Sequence, residues 1–86
     1  MSYRLEYHKN FTKFLDKHGD IRARVLQSFE IIAQNPYENN LDIRKLQNET
    51  NKYRLRLGKY RFLYEIIEMQ ILIYAYKADS RGDVYK

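Results

Sequence analysis

The chain opens with strict alternation. Tyr3, Leu5 and Tyr7 take one side and Arg4 and Glu6 the other, which predicts a strand over 3–7 with one buried face. From Asn10 the period lengthens. Phe11, Phe14, Leu15 and His18 recur at i, i+3, i+4 and i+7, a helical stripe. Gly19 suits the left-handed residue that closes a helix, and Asp20 the N-cap of the next one. Ile21, Val25, Phe29 and Ile32 continue at helical spacing, widened by Leu26 and Ala33. Asn35-Pro36 ends that stretch, because proline biases the residue before it away from helical angles. The two helices read as an antiparallel helical hairpin.

Residues 37–51 are polar and asparagine-rich, with Leu41, Ile43 and Leu46 as anchors that tie a surface loop to the core. A strong strand signal follows. Tyr53, Leu55 and Leu57 alternate with Arg54 and Arg56, and Gly58-Lys59 has the glycine-first form of a two-residue type II′ turn. A second strand runs from Tyr60 to Ile67 and a third from Ile71 to Lys77. The third is apolar on both faces, as in a covered or central strand. The expected fold is α+β, in the order β-α-α-β-β-β, an antiparallel sheet with the helical hairpin packed on one face.

Pairing the hairpin on the Gly58-Lys59 turn localises the chemistry. Leu57 meets Tyr60, Leu55 meets Phe62 and Tyr53 meets Tyr64, all on the core face. The other face pairs Arg56 with Arg61, Arg54 with Leu63, and Lys52 with Glu65 as a cross-strand ion pair. Like charges directly opposite destabilise a sheet by up to about 1 kcal/mol. Three guanidinium groups on one patch fit a bound anion held by bidentate donors. They also fit a solvated face whose arginine stems cover apolar surface. Arg44, Lys45, Lys52, Arg54, Arg56, Lys59 and Arg61 cluster with only Glu49 acidic among them, which favours the anion.

Composition fits this picture. The chain has 86 residues and a formal net charge of +5, which favours an acidic partner. One domain spanning 1–86 is expected, and so small a domain buries only about 60% of its unfolded surface. With no cysteine there is neither disulfide nor thiolate metal site. No metal and no cofactor are expected, since no His-x-x-x-His, paired acidic motif or glycine-rich phosphate loop occurs. No apolar run suits a membrane span or a signal-peptide core, so a cytoplasmic location without membrane contact is expected. Tyr53, Tyr60, Tyr64, Tyr74 and Tyr76 fall mostly at core-facing positions. Tyr85 lies in the polar tail near Arg81, placed either to stack on a base or to pack on the sheet edge.

The run Tyr53-Arg-Leu-Arg-Leu-Gly-Lys-Tyr-Arg-Phe-Leu-Tyr-Glu-Ile66 and the ending Arg81-Gly-Asp-Val-Tyr85 resemble the RelE branch of the RelE/ParE toxins of toxin–antitoxin modules. The resemblance spans the chain. It implies a toxin that enters the ribosomal A site and cleaves mRNA by driving the ribose 2′-hydroxyl onto the adjacent phosphate. It also implies an acidic cognate antitoxin, which sheathes the toxin and brings it to operator DNA only as the complex. By this resemblance Arg56, Arg61, Arg81 and Tyr85 carry the catalysis, while Arg44, Lys45, Lys52, Arg54 and Lys59 bind RNA. Arg54 and Arg56 match positions that are lysines in the best-studied branch, and the one matching Arg56 is assigned there as general base. Arginine does not easily give up its proton, so Arg56 is expected to stabilise phosphorane charge instead. The segment Ala78-Asp79-Ser80 also lacks the additional His, Lys or Arg that the family often carries. Two further functions compete: a ParE-like toxin acting on DNA gyrase, which does not need the basic hairpin face, and a relative that binds RNA or antitoxin without cleaving.

Overall fold

The computed structural model describes residues 2–80. Its elements are β1 (Arg4–Tyr7), α1 (Lys9–Lys17), α2 (Gly19–Gln34), β2 (Ile43–Lys45), β3 (Lys52–Leu57), β4 (Tyr60–Ile67), a 3-10 turn (Glu68–Gln70) and β5 (Leu72–Asp79). The five strands form one sheet in the order β1-β5-β4-β3-β2. The expected fold class holds, with two additions. Three of the pairings are antiparallel, but β1 runs parallel to β5. Ile43–Lys45, expected as loop, is an edge strand on β3. Too few alternating positions precede the next turn for periodicity to reveal so short a strand. Backbone bonds from Leu46 N to Lys52 O (2.9 Å) and from Arg56 N to Asp42 O (3.0 Å) hold its ends.

The helices meet differently from the expected capping scheme. Gly19 is the first residue of α2 rather than a left-handed stop, and only Gly58 among the described glycines has positive φ. His18 makes the bend instead, at φ −126° and ψ 59°. Its ring stacks on Phe14 at 4.0 Å, and its Nδ1 donates to Phe14 O at 2.8 Å. At the other end of α1, His8 Nδ1 accepts from Asn10 N at 3.0 Å and caps the helix.

The helices cover one face of the sheet. Phe11, Leu15, Val25, Phe29 and Ile32 pack against Leu55, Phe62, Tyr64, Ile66 and Ile73. Phe29 is central, edge-on to both Phe11 (5.6 Å) and Tyr64 (5.4 Å), a geometry that adds to area burial. Strand alternation then turns Tyr74 and Tyr76 to the other face, where they stack on each other. The expectation that they are core tyrosines is corrected. Tyr76 is also the extra residue of a bulge: Leu63 pairs with Lys77 and Tyr64 with Ala75, leaving Tyr76 unopposed.

Glu68 staples one end of the molecule. Its carboxylate accepts from Tyr3 Oη at 2.6 Å and from Tyr37 Oη, joining the start of β1 to the loop after α2. These two hydroxyls hold the Glu68 carboxyl below its ordinary value of 4.5. A carboxylate whose folded value is depressed contributes stability above its ordinary value and loses it as pH falls through the folded one. Urea midpoints followed from about pH 7 to about pH 3 should therefore decline less steeply below pH 4.5 in Glu68→Gln than in the wild type, from a lower plateau.

Tyr64 is fully buried, and its hydroxyl has no hydrogen-bond partner among the described residues. An orphaned buried hydroxyl costs about 1–3 kcal/mol. Tyr64→Phe is expected to unfold at an equal or higher urea concentration than the wild type. Phe62→Ala, from the same strand and face, should lose about 3–5 kcal/mol in the same experiment.

Candidate functional site

The β3–β4 register matches the pairing expected from the turn at every position: Lys52 with Glu65, Tyr53 with Tyr64, Arg54 with Leu63, Leu55 with Phe62, Arg56 with Arg61 and Leu57 with Tyr60. Gly58 has φ +61° and Lys59 stays on the negative side, the combination that a type II′ turn requires. The turn thus fixes the register, and the register sets Arg56 against Arg61.

Neighbouring strands extend the patch. Arg44 pairs with Arg54, Arg54 with Leu63, and Leu63 with Lys77, forming one row across the face away from the helices. The next row runs Arg56, Arg61, Asp79. On this face of β2 to β5 the cations Arg44, Lys52, Arg54, Arg56, Arg61 and Lys77 outnumber the carboxylates Asp42, Glu65 and Asp79.

Asp42, just before β2, supplies the carboxylate that the local sequence lacks. Its Oδ1 lies 3.2 Å from Arg54 Nη2 and its Oδ2 lies 2.7 Å from Arg56 Nε. The two arginines differ in depth. The Arg54 side chain is 7% exposed, whereas that of Arg56 is 48% exposed. A charge as buried as Arg54 needs a paired, hydrogen-bonded partner. Arg56 engages Asp42 through Nε alone, so its terminal amino groups have no partner among the described residues. Arg61 is less well satisfied. Its Nη1 reaches the carbonyls of Gly58 and Tyr60 only at 3.4 and 3.3 Å, and its buried Nε has no hydrogen-bond partner among the described residues.

The remaining expected residues divide. Arg44 and Lys52 share the arginine face. Lys52 does not bridge to Glu65, as the hairpin pairing suggested. It lies 3.5 Å from Glu49 and 5.7 Å above the Tyr76 ring, while Glu65 accepts from Asn51 Nδ2 at 2.8 Å. Lys45 pairs with Tyr53 and so belongs to the opposite face. Lys59 sits in the turn with Nζ 5.5 Å from the Tyr60 ring centroid, also away from the cluster. A cleft of about 620 Å³ opens beside Arg54, lined by Arg44, Lys45, Gln47 and Asn48 among others. Arg81 and Tyr85 lie outside the described residues.

Sequence reasoning missed Asp42 and Asp79. With β2 recognised as a strand on β3, Asp42 would have followed as the residue beside Arg56. Asp79 needed the bulge at Tyr76, which shifts the β4–β5 register and sets Asp79 opposite Arg61.

No protein-family model and no curated protein matches the chain. Solved structures do. A chain of the archaeal RelE–RelB complex from Pyrococcus horikoshii OT3 is 30% identical, with a TM-score of 0.80 over 95% of this chain and 98% of that one. One from the RelB–RelE antitoxin–toxin complex of Methanococcus jannaschii is also 30% identical, with a TM-score of 0.73 over 94% and 95%. The chain belongs to the RelE family of toxins. The isolated RelE toxin of E. coli shares the fold, at 17% identity and a TM-score of 0.79 over 94% of this chain and 86% of that one.

On this RelE-family fold, a half-exposed Arg56 guanidinium stands beside Arg61, whose Nε has no acceptor among the described residues, a geometry compatible with a bound anion. Binding to the folded state alone raises the melting temperature by mass action. Inorganic phosphate should therefore raise it more than chloride at matched ionic strength, and Arg61→Gln should abolish the difference. Equal effects of the two anions on the wild type would contradict an anion site at this face.

Proposed function

We propose that this protein is a ribosome-dependent mRNA endoribonuclease, the toxin of a type II toxin–antitoxin pair that arrests translation. The observation that carries the reading is Arg56 directly opposite Arg61 on the sheet face away from the helices. Folding gains nothing from that pairing, whereas a scissile phosphate gains two guanidinium groups.

In this mechanism the phosphate between two mRNA nucleotides sits between Arg56 and Arg61. The 2′-oxygen of the upstream ribose attacks phosphorus while negative charge grows on the non-bridging oxygens; the bond to the downstream 5′-oxygen breaks, that oxygen leaves as a hydroxyl on taking a proton, and a 2′,3′-cyclic phosphate remains. Preorganised donors aimed at that charge typically contribute about 10²–10³-fold in rate each. Arginine suits charge stabilisation because it stays protonated. The proton leaving the 2′-hydroxyl then needs another acceptor, since Arg56 does not serve as the base. Arg44 and Lys52 line the path of the flanking backbone, while Arg54, expected to contact RNA, is nearly buried and instead anchors Asp42. Lys45 and Lys59, on the other side, suit ribosomal RNA or antitoxin contact rather than the scissile strand. Arg81 and Tyr85 complete the proposed site by the family resemblance, as a further cation and a base-stacking ring.

The partner follows from the same charge. The solved P. horikoshii and M. jannaschii structures are toxin–antitoxin complexes. For this chain the cognate antitoxin is expected to be acidic, since complementary charge masks a basic face and speeds association. Operator DNA is reached only through that complex. A gyrase-directed activity has no use for the guanidinium cluster and is the weaker reading.

Expression without antitoxin should stop growth and leave mRNA cut at ribosome-phased positions, mapped by primer extension. Arg56→Ala and Arg61→Ala should each lower cleavage by about 10²-fold or more; Arg81→Ala and Tyr85→Phe should reduce it as well. Arrested cells with intact mRNA would sink the endoribonuclease reading. Full toxicity in all four variants would remove the proposed site.

A further inference from the structure

The proposed reaction assigns no role to Asp42, the carboxylate held between its arginines. Asp42 is joined to both β3 arginines, one oxygen to each, at 3.2 Å (Arg54) and 2.7 Å (Arg56). Its main chain is fixed as well, because Arg56 N donates to Asp42 O at 3.0 Å. Residues 42 and 56 are thus tied twice, once through their main chains and once through their side chains. The two contacts differ in kind. The one to Arg54 reaches a nearly buried guanidinium, 7% exposed, from a carboxylate that is itself 41% exposed, and it anchors that carboxylate. The one to Arg56 uses only Nε and leaves the two terminal amino groups without a partner among the described residues, on a half-exposed side chain.

We propose that Asp42 is a positioning residue for phosphate recognition: anchored by Arg54, it locks the Arg56 guanidinium so that its terminal amino groups and Arg61 meet one phosphate in fixed geometry. This inference rests on the endoribonuclease reading for its catalytic consequence, but not for its binding consequence. Three considerations lead here. A free arginine side chain loses several rotatable bonds on binding an anion, and a pre-set fork avoids most of that cost. Asp42 also neutralises one charge of the Arg44–Arg54–Arg56–Arg61 group, so the cluster tolerates its own repulsion while empty. Finally, a carboxylate already using both oxygens on arginines cannot swing away to serve as the missing base without releasing Arg54. The bland alternative is that Asp42 merely neutralises buried Arg54, with the orientation of Arg56 incidental.

The test uses the full-length protein as wild type, Asp42→Asn and Asp42→Glu. The first readout is the Arg56 Nε–H resonance and its exchange with water, with inorganic phosphate as the ligand probe. In the wild type this proton should exchange at least about tenfold more slowly than that of exposed Arg44 and shift on adding phosphate. Asp42→Asn should lose both properties, and Asp42→Glu, which keeps the charge, should recover a good part of them. The second readout is single-turnover cleavage on programmed ribosomes. Asp42→Asn should lower the rate at saturating toxin by about 10²-fold, with little change in the concentration giving half-maximal rate. A purely structural role would lower the melting temperature but leave the cleavage rate and the phosphate shift intact, and that result overturns the proposal. So does an Arg56 Nε–H in the wild type that exchanges as fast as that of Arg44, a measurement needing no variant should Asp42→Asn fail to fold. If the wild type does not cleave while the phosphate and exchange effects stand, the endoribonuclease reading fails and the positioning role of Asp42 survives.

Discussion

The structure depends on one juxtaposition, Arg56 against Arg61 across the β3–β4 pair. Like charges directly opposite on a sheet repel, so the pairing persists only because other forces overdetermine the register. The turn is one of them: Gly58 at φ +61° permits the two-residue connection, and a two-residue connection leaves no slack. The opposite face is the other. A slip by one residue would carry Leu55, Phe62 and Tyr64 out of the core and the arginines into it. Burial of the apolar face, worth about 25 cal/mol per Å², outweighs the repulsion on the exposed one.

The other elements fit around that constraint. The helices supply Phe11 and Phe29 to the core side and stay off the arginine side. Strand β2 adds Arg44 to the patch, and the residue before it adds the Asp42 carboxylate. The bulge at Tyr76 resets the β5 register so that Lys77 and Asp79 join the same rows. The Glu68 staple and the His8 and His18 caps lie away from the patch and serve the scaffold. The division of labour is by face: apolar cohesion on one side of a single sheet, concentrated positive charge on the other. A family fold shared with toxins from archaea and bacteria gives that charge its reading.

Much of this was legible in the sequence. The strand at 3–7, both helices and the hairpin carry strong periodicity, and Gly58-Lys59 determines every hairpin partner. What stayed hidden has physical causes. Three residues of β2 are too short to show a period. Gly19 is compatible with a helix stop and with a helix start, and His18, packed on Phe14 and on Tyr60 of β4, takes the bend one residue earlier. Apolar character on both faces of β5 concealed which way Tyr74 and Tyr76 point, because alternation cannot be read where both sides are aromatic or aliphatic. Asp42 went unnoticed as a site residue because its role depends on β2 pairing, and the expected Lys52–Glu65 bridge failed because Glu49 and Asn51 offered nearer partners. Local pattern reveals the elements and the hairpin chemistry; contacts across elements set the polar partners.

The central claim is that the arginine face contacts nucleic-acid phosphates. Its most direct test is the salt dependence of affinity for a short single-stranded RNA carrying a 2′-deoxy residue at the attacking position, so that binding proceeds without cleavage. Each phosphate contact to a single strand contributes about −0.7 to the slope of log K against log salt. The slope should become shallower by about that amount in the double variant Arg56→Gln with Arg61→Gln, and by part of it in each single variant, while Lys45→Gln on the opposite face leaves it unchanged. A slope indifferent to Arg56 and Arg61, or one that changes only with Lys45, would contradict the account.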